Sequence, residues 1–149
     1  MLSNVLYVVR IVVLGLWVGA MAGFAFLFAP IAFAHIGPTA AFAATIAASV
    51  RAITAMGAVA GIIAGLLTVG IRFETLRRKI TIVLCIAIAI AFGAIETQAI
   101  VPKMEATPLM TAAYDALHRQ SSGVYSAVLI FALLALVLSV RSERAYMSR

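Results

Sequence analysis

Long apolar runs alternate along the chain with short polar breaks. Predominantly apolar stretches cover positions 5–29, 52–71, 80–100 and 122–140. A helix rising about 1.5 Å per residue needs roughly 20 such residues to cross a hydrocarbon core about 30 Å thick. Each run is close to that length, so the pattern predicts four transmembrane helices and a single domain. The third run is uninterrupted only from Ile80 to Ile95, and it reaches full length by carrying Glu96 and Gln98 to the interface or into the bundle. Its Ile86–Ala91 segment alternates large and small residues, as a strand would. In lipid an open strand leaves backbone groups unsatisfied, so helix is the expectation there too.

Two of the predicted helices are too long for the bilayer, so that their outer segments either protrude beyond the outer face or bend and lie in the interface. From Thr39 to Arg51 there is no breaker, and Phe42, Ile46 and Val50 repeat at helical spacing, which extends the second helix outward. Thr107-Pro108 reads as an N-cap with proline at the first helical position, followed by the stripe Leu109, Ala113 and Leu117 into the fourth helix. Gly123 is where that helix would kink if its outer segment bent into the interface. Two ladders of glycine at four-residue spacing, Gly15, Gly19, Gly23 and Gly57, Gly61, Gly65, mark smooth faces on the first and second helices. Helices in lipid associate by close van der Waals approach over small residues. The ladders therefore predict a tight antiparallel hairpin, with a homo-oligomer contact as the competing use of one of them.

Composition supports the membrane assignment. The chain is 65% hydrophobic and 11% charged, against about a quarter charged in soluble domains. The net charge of +6 does not form the basic, aromatic-interleaved stripe of a nucleic-acid surface. Instead it sets orientation. Arg10, Arg72, Arg77, Arg78, Lys79, Arg141, Arg144 and Arg149 fall on one side, and Arg51, Lys103 and Arg119 on the other. By the positive-inside rule both termini are cytoplasmic, as in a protein of the bacterial inner membrane. The run Arg77-Arg78-Lys79 is foremost a topology signal, and secondarily an attraction for anionic lipid. Arg10 is expected to snorkel to the interface. Ala32-Phe33-Ala34 has the form of a signal-peptidase site, but the preceding apolar stretch is longer than a signal core, and the segment is expected to persist as a helix. The single cysteine, Cys85, excludes an intrachain disulfide and reads as a core residue. Trp17, mid-span, reads as packing.

No motif for phosphate binding, zinc hydrolysis or nucleophilic catalysis is present, so a non-enzymatic protein is the expectation. Polar residues gather at the outer ends of the helices. The candidate pocket is Arg51, Glu96, Gln98, Lys103, Tyr114, His118, Ser121 and Ser122, with Tyr114, His118 and Ser121/Ser122 on one helical face. Glu96 leads it, because an ionisable group at that depth is costly. Its expected partners are Arg51 and His118 or Arg119, either as a structural ion pair or as a pocket for a cation or small molecule. His35 and His118, with Met104 as a soft ligand, are weak candidates to hold a metal or haem. No cofactor is expected from the pattern as a whole.

Three ordered fragments carry a resemblance: Leu16-Trp17-Val18-Gly19 followed by Phe28-Ala29-Pro30 and Phe33; Ile100-Val101-Pro102 with Met104; and Tyr114-Asp115-Ala116-Leu117-His118 with Ser121 or Ser122. Together they resemble the transmembrane protein 205-like family, four-helix membrane proteins whose domain has no settled activity and of which a eukaryotic member is linked to platinum-drug resistance. Tyr114 stands where that pattern has Phe, Arg119 where it has Gly, and Thr107–Thr111 where it favours an Arg. The resemblance implies functional weight at Pro30, Glu96, Pro102, Met104, His118 and Ser121 or Ser122. Three functional readings follow: binding or movement of a small solute or metal ion through an outer-facing pocket; an accessory subunit of a larger membrane complex; and a haem- or metal-binding redox protein. The partners expected are the lipid bilayer and other membrane subunits or further copies of the chain.

Overall fold

The computed structural model describes residues 2–140 and is all-helical, a four-helix bundle. Four helices long and apolar enough to cross a membrane make it up: α1 Leu2–Ile36, α2 Ala40–Gly70, α3 Leu76–Ala106 and α4 Ala112–Val140. At about 1.5 Å per residue each spans more than the ~30 Å of hydrocarbon, so all four, not only α2 and α4, outreach the apolar core. The helices pack in a ring in chain order, with α4 closing against α1. Arg141, Arg144 and Arg149, which contribute to the orientation signal, lie outside the described residues.

α1 and α3 share an irregularity. Each contains a π-helical turn, at Phe24–Phe28 and Glu96–Ile100. The amides of Ala29 and Val101 reach back five residues, to the carbonyls of Phe24 and Glu96. Proline is the cause. Pro30 and Pro102 lack an amide hydrogen, and their rings would collide with the carbonyls four residues earlier. Widening the preceding turn by one residue relieves both problems while the helix continues.

The match goes further. Phe24 and Glu96, Pro30 and Pro102, Thr39 and Thr111, and Ala40 and Ala112 are all separated by one and the same interval. Both threonines cap the helix that follows: Thr39 Oγ1 accepts the amide of Phe42, and Thr111 Oγ1 that of Tyr114, each at 3.2 Å. The buried positions of α1 also repeat in α3, pairing Arg10 with Ile82, Leu14 with Ile86, Trp17 with Ala89, Met21 with Gly93 and Phe24 with Glu96. The bundle is thus two similar hairpins, α1–α2 and α3–α4. The first turns at Gly37, whose φ of 70° suits glycine; the second turns at Met110, where a side chain sits at φ 62°.

Several sequence expectations need correction. The cap of α4 is Thr111, not Thr107, because Thr107 and Pro108 belong to the turn. Gly123, where a bend into the interface would come, lies in unbroken α-helix. The α1–α2 hairpin exists, but the two glycine ladders do not face each other. Trp17 lies on Gly57 and Gly61, where an added Cβ would stand 2.2 Å from its Nε1 and 3.2 Å from its Cζ3 respectively. At Gly15, Gly19, Gly23 and Gly65 an added Cβ would meet nothing within 4 Å. One large ring on two bare α2 positions brings the helices together, and the first ladder faces out of the bundle.

Candidate functional site

Two buried polar clusters occupy opposite ends of the bundle. At the end that carries the N-terminus, Arg10 of α1 is fully buried and does not snorkel. Its guanidinium donates to both carboxylate oxygens of Glu74, at 2.8 and 2.6 Å, and to Thr68 Oγ1 at 3.3 Å. Glu74 sits in the α2–α3 turn, so the pair fastens that turn to α1. Nearby, Arg78 donates to the carbonyl of Leu138 near the end of α4, and Lys79 Nζ to that of Val69 at 3.0 Å near the end of α2. Cations at helix C-termini complement the dipole and unsatisfied carbonyls. Two of the cations that signal topology therefore also cap neighbouring helices.

Towards the other end, Glu96 opens the π-turn of α3 with its side chain directed inward, 1% exposed. It lies ten residues before the end of α3, about 15 Å at helical rise, which places it inside the hydrocarbon layer of a centred bundle. Ser121 of α4 donates its hydroxyl to one carboxylate oxygen. The other oxygen, Oε2, is buried and has no hydrogen-bond partner among the described residues. Beside it, Tyr125 donates to the carbonyl of Met21 at 3.1 Å and packs on Phe24, with centroids 5.7 Å apart. Phe24 is the counterpart of Glu96 in the first hairpin. The molecule therefore carries an aromatic ring at this position in one half and a carboxyl in the other.

The remaining candidates are elsewhere. Arg51 pairs with Glu105, at 2.7 and 2.5 Å across α2 and α3, and not with Glu96. This pair is well exposed, with side chains 42% and 43% accessible. Gln98, Lys103, His118 and Ser122 are exposed, while Tyr114 and Met104 are half-buried. His35, in the last turn of α1, shares a hydrogen bond with the Ile31 carbonyl at 2.9 Å. Among the described residues no group of three or more His, Cys, Asp or Glu is placed to hold a metal ion. Of the eight predicted pocket residues, Glu96 and Ser121 are the two joined by a hydrogen bond.

Sequence reasoning missed Glu74, Thr68 and Tyr125. Glu74 had a signal: it is the lone acidic residue within the basic stretch from Arg72 to Lys79, opposite Arg10 in a predicted antiparallel arrangement. Tyr125 had none, because a tyrosine in an apolar run looks like packing. No family model, curated protein or solved structure matches the chain.

Proposed function

We propose that this integral membrane protein takes up and releases a small cation, in the simplest case a proton, at Glu96 and thereby helps move a small solute across or into the membrane. The observation that carries the reading is the carboxyl of Glu96, 1% exposed, bonded on one oxygen by Ser121 and without a protein partner on the other. A bare carboxylate at that depth is costly, so the group is held as the acid or neutralised by a cation. One carboxyl and one hydroxyl fall short of the four or more ligands that zinc or calcium takes, so a proton fits this donor set best. The positive-inside charge pattern supports cytoplasmic termini, an orientation in which Glu96 lies in the outer half of the membrane. The resemblance to the transmembrane protein 205-like family draws attention to the same two residues. Full-length protein in liposomes loaded with a pH indicator tests the proposal: Glu96→Gln should abolish protein-dependent proton movement and Ser121→Ala weaken it, and Glu96→Gln at wild-type rate would overturn it.

A second reading, an accessory subunit, is favoured by the open face at Gly15, Gly19 and Gly23, which leaves room for close approach of another helix. Native mass spectrometry of protein gently extracted from its own membranes tests it. Wild type co-purifying with a partner that Gly19→Leu loses supports this reading, and wild type as a bare monomer excludes it.

A further inference from the structure

At the end of the bundle that carries the N-terminus, a groove of about 340 Å³ lies open between the start of α3 and the last turn of α4. Thr75, Arg77, Arg78, Thr81 and Leu138 line it. The apolar run of α3 begins at Ile80. Thr75, Arg77 and Arg78 therefore stand at the level of the lipid headgroups, and Thr81 at the edge of the hydrocarbon.

The charge at this groove is uncompensated. Arg72, Arg77, Arg78 and Lys79 put four cations within eight residues. Glu74, the acid among them, is buried and matched on both oxygens by Arg10, so it neutralises none of the four. Arg78 is held in place, donating Nε–H to the Leu138 carbonyl at 3.1 Å and a second N–H from Nη2 to the same oxygen. Its Nη1 bonds no described residue. Arg77 is exposed, and its guanidinium, with no bond to a described residue, keeps its whole fork of N–H donors. Thr81 spends its hydroxyl on the Arg77 carbonyl at 3.0 Å, whereas that of Thr75 makes no cap bond to its own helix. A planar guanidinium matches two oxygens of a phosphate at once, and such charge-assisted pairs are the strong ones. The groove thus offers donors suited to a phosphate group.

What lies below the groove selects the source of that phosphate. Arg77, Thr81 and Leu84 share a face of α3 at i, i+4 and i+7, and Leu138, Leu134 and Ile130 share one of α4 at steps of four. The two helices pack side by side, and Leu84, Leu134 and Ile130 are all exposed. Both walls therefore continue into the hydrocarbon as bare apolar side chains. A soluble phosphate ester gains nothing from them, whereas an acyl chain lies along them. A choline or ethanolamine headgroup would add one more cation to the four already present, so an anionic headgroup fits best. From volume, charge and depth together, we infer that this groove is a binding site for one anionic phospholipid. Arg77, Arg78 and the Thr75 hydroxyl hold its phosphate, and an acyl chain runs down past Leu84 and Leu134. The site is separate from Glu96 and stands whether or not that residue exchanges protons.

The test is a titration of the full-length protein in detergent with dioctanoyl phosphatidylglycerol, read by native mass spectrometry. Dioctanoyl phosphatidylcholine and inorganic phosphate are the comparison probes. The wild type should retain one phosphatidylglycerol in preference to phosphatidylcholine, and a large excess of inorganic phosphate should not displace it. Arg77 is exposed and bonds no described side chain, so Arg77→Gln leaves the packing intact. Losing one cation beside an anionic headgroup should weaken binding about fivefold in that variant. Arg77→Lys should lose part of this, because an ammonium keeps the charge but not the fork. Lys79→Gln removes a cation that does not line the groove and is engaged by the Val69 carbonyl, and it should bind as the wild type does. Equal retention of the two lipids overturns the proposal. So does an equal effect of Lys79→Gln and Arg77→Gln, since the attraction would then be diffuse charge and not a site. Displacement by inorganic phosphate overturns the lipid as occupant.

Discussion

At the scale of single residues, the two buried acids differ in what surrounds them. Glu74 is matched on both oxygens by Arg10. Removing one partner of such a pair leaves an uncompensated buried charge, at a cost of roughly 3–5 kcal/mol. Arg10→Ala should therefore lower the thermal stability of the detergent-solubilised protein sharply, whereas the joint replacement Arg10→Met, Glu74→Leu should recover most of it. A double mutant as unstable as the single one would show that the pair does more than neutralise itself. Glu96 is matched on one oxygen only, so Glu96→Gln keeps an acceptor for Ser121 and should change melting temperature little while removing the titratable group. Calorimetry of that variant beside the liposome assay separates folding from function. Met110, at φ 62° and exposed, occupies a conformation that costs a non-glycine residue about 1 kcal/mol. Met110→Gly should be neutral to mildly stabilising in the same melts.

At the scale of helices, the glycines divide by what they face. Gly57 lies under the Trp17 ring, where even a methyl group has no room, and Gly61 lies beside Ile90, Ile86 and the edge of the same ring. Gly57→Ala should therefore destabilise by a few kcal/mol, in the range of overpacked cores at about 1–3 kcal/mol. Gly19→Leu should leave the monomer's melting temperature unchanged. If the two substitutions behaved alike, the glycine ladders would be equivalent and Trp17 would not be the contact between α1 and α2. The π-turns belong to this scale as well. Each follows from a proline and would have been legible at Pro30 and Pro102, since the interval between those prolines recurs between Thr39 and Thr111. A common local cause gives two helices the same offset, and in α3 that offset begins at Glu96, the last position of the regular buried stripe Ile82, Ile86, Ala89 and Gly93.

For the whole molecule, four crossings put the N-terminus and the α2–α3 turn at one end, and the two short turns near Pro38 and Pro108 at the other. Cysteines introduced at Ser3 and Arg72 in a Cys85→Ala background should react with a membrane-impermeant thiol reagent from the same side of sealed vesicles. One at Thr107 should react only from the opposite side. Labelling of Ser3→Cys and Thr107→Cys from one side would break the four-crossing topology. Both buried polar clusters lie off the middle of this bundle, and the core between them is apolar at Leu14, Ile82, Ile86, Ala64 and Ala132.

Hydropathy alone determined that the chain forms four membrane helices, roughly where they lie, and that Glu96 is an expensive residue in its place. These are properties of single segments against a lipid solvent: how much apolar length is available, and what a charge costs within it. Which polar group answers which was decided only by the tertiary structure. Arg10 looked like a snorkelling cation until the turn carrying Glu74 folded over it. Arg51 went to Glu105, which follows the π-turn before Pro102, while Glu96, which continues the regular buried stripe of α3, met Ser121. The glycine ladders looked equivalent until Trp17 chose one of them. Such pairings depend on the rotation of each helix about its axis, and packing fixes that rotation where hydrophobicity does not.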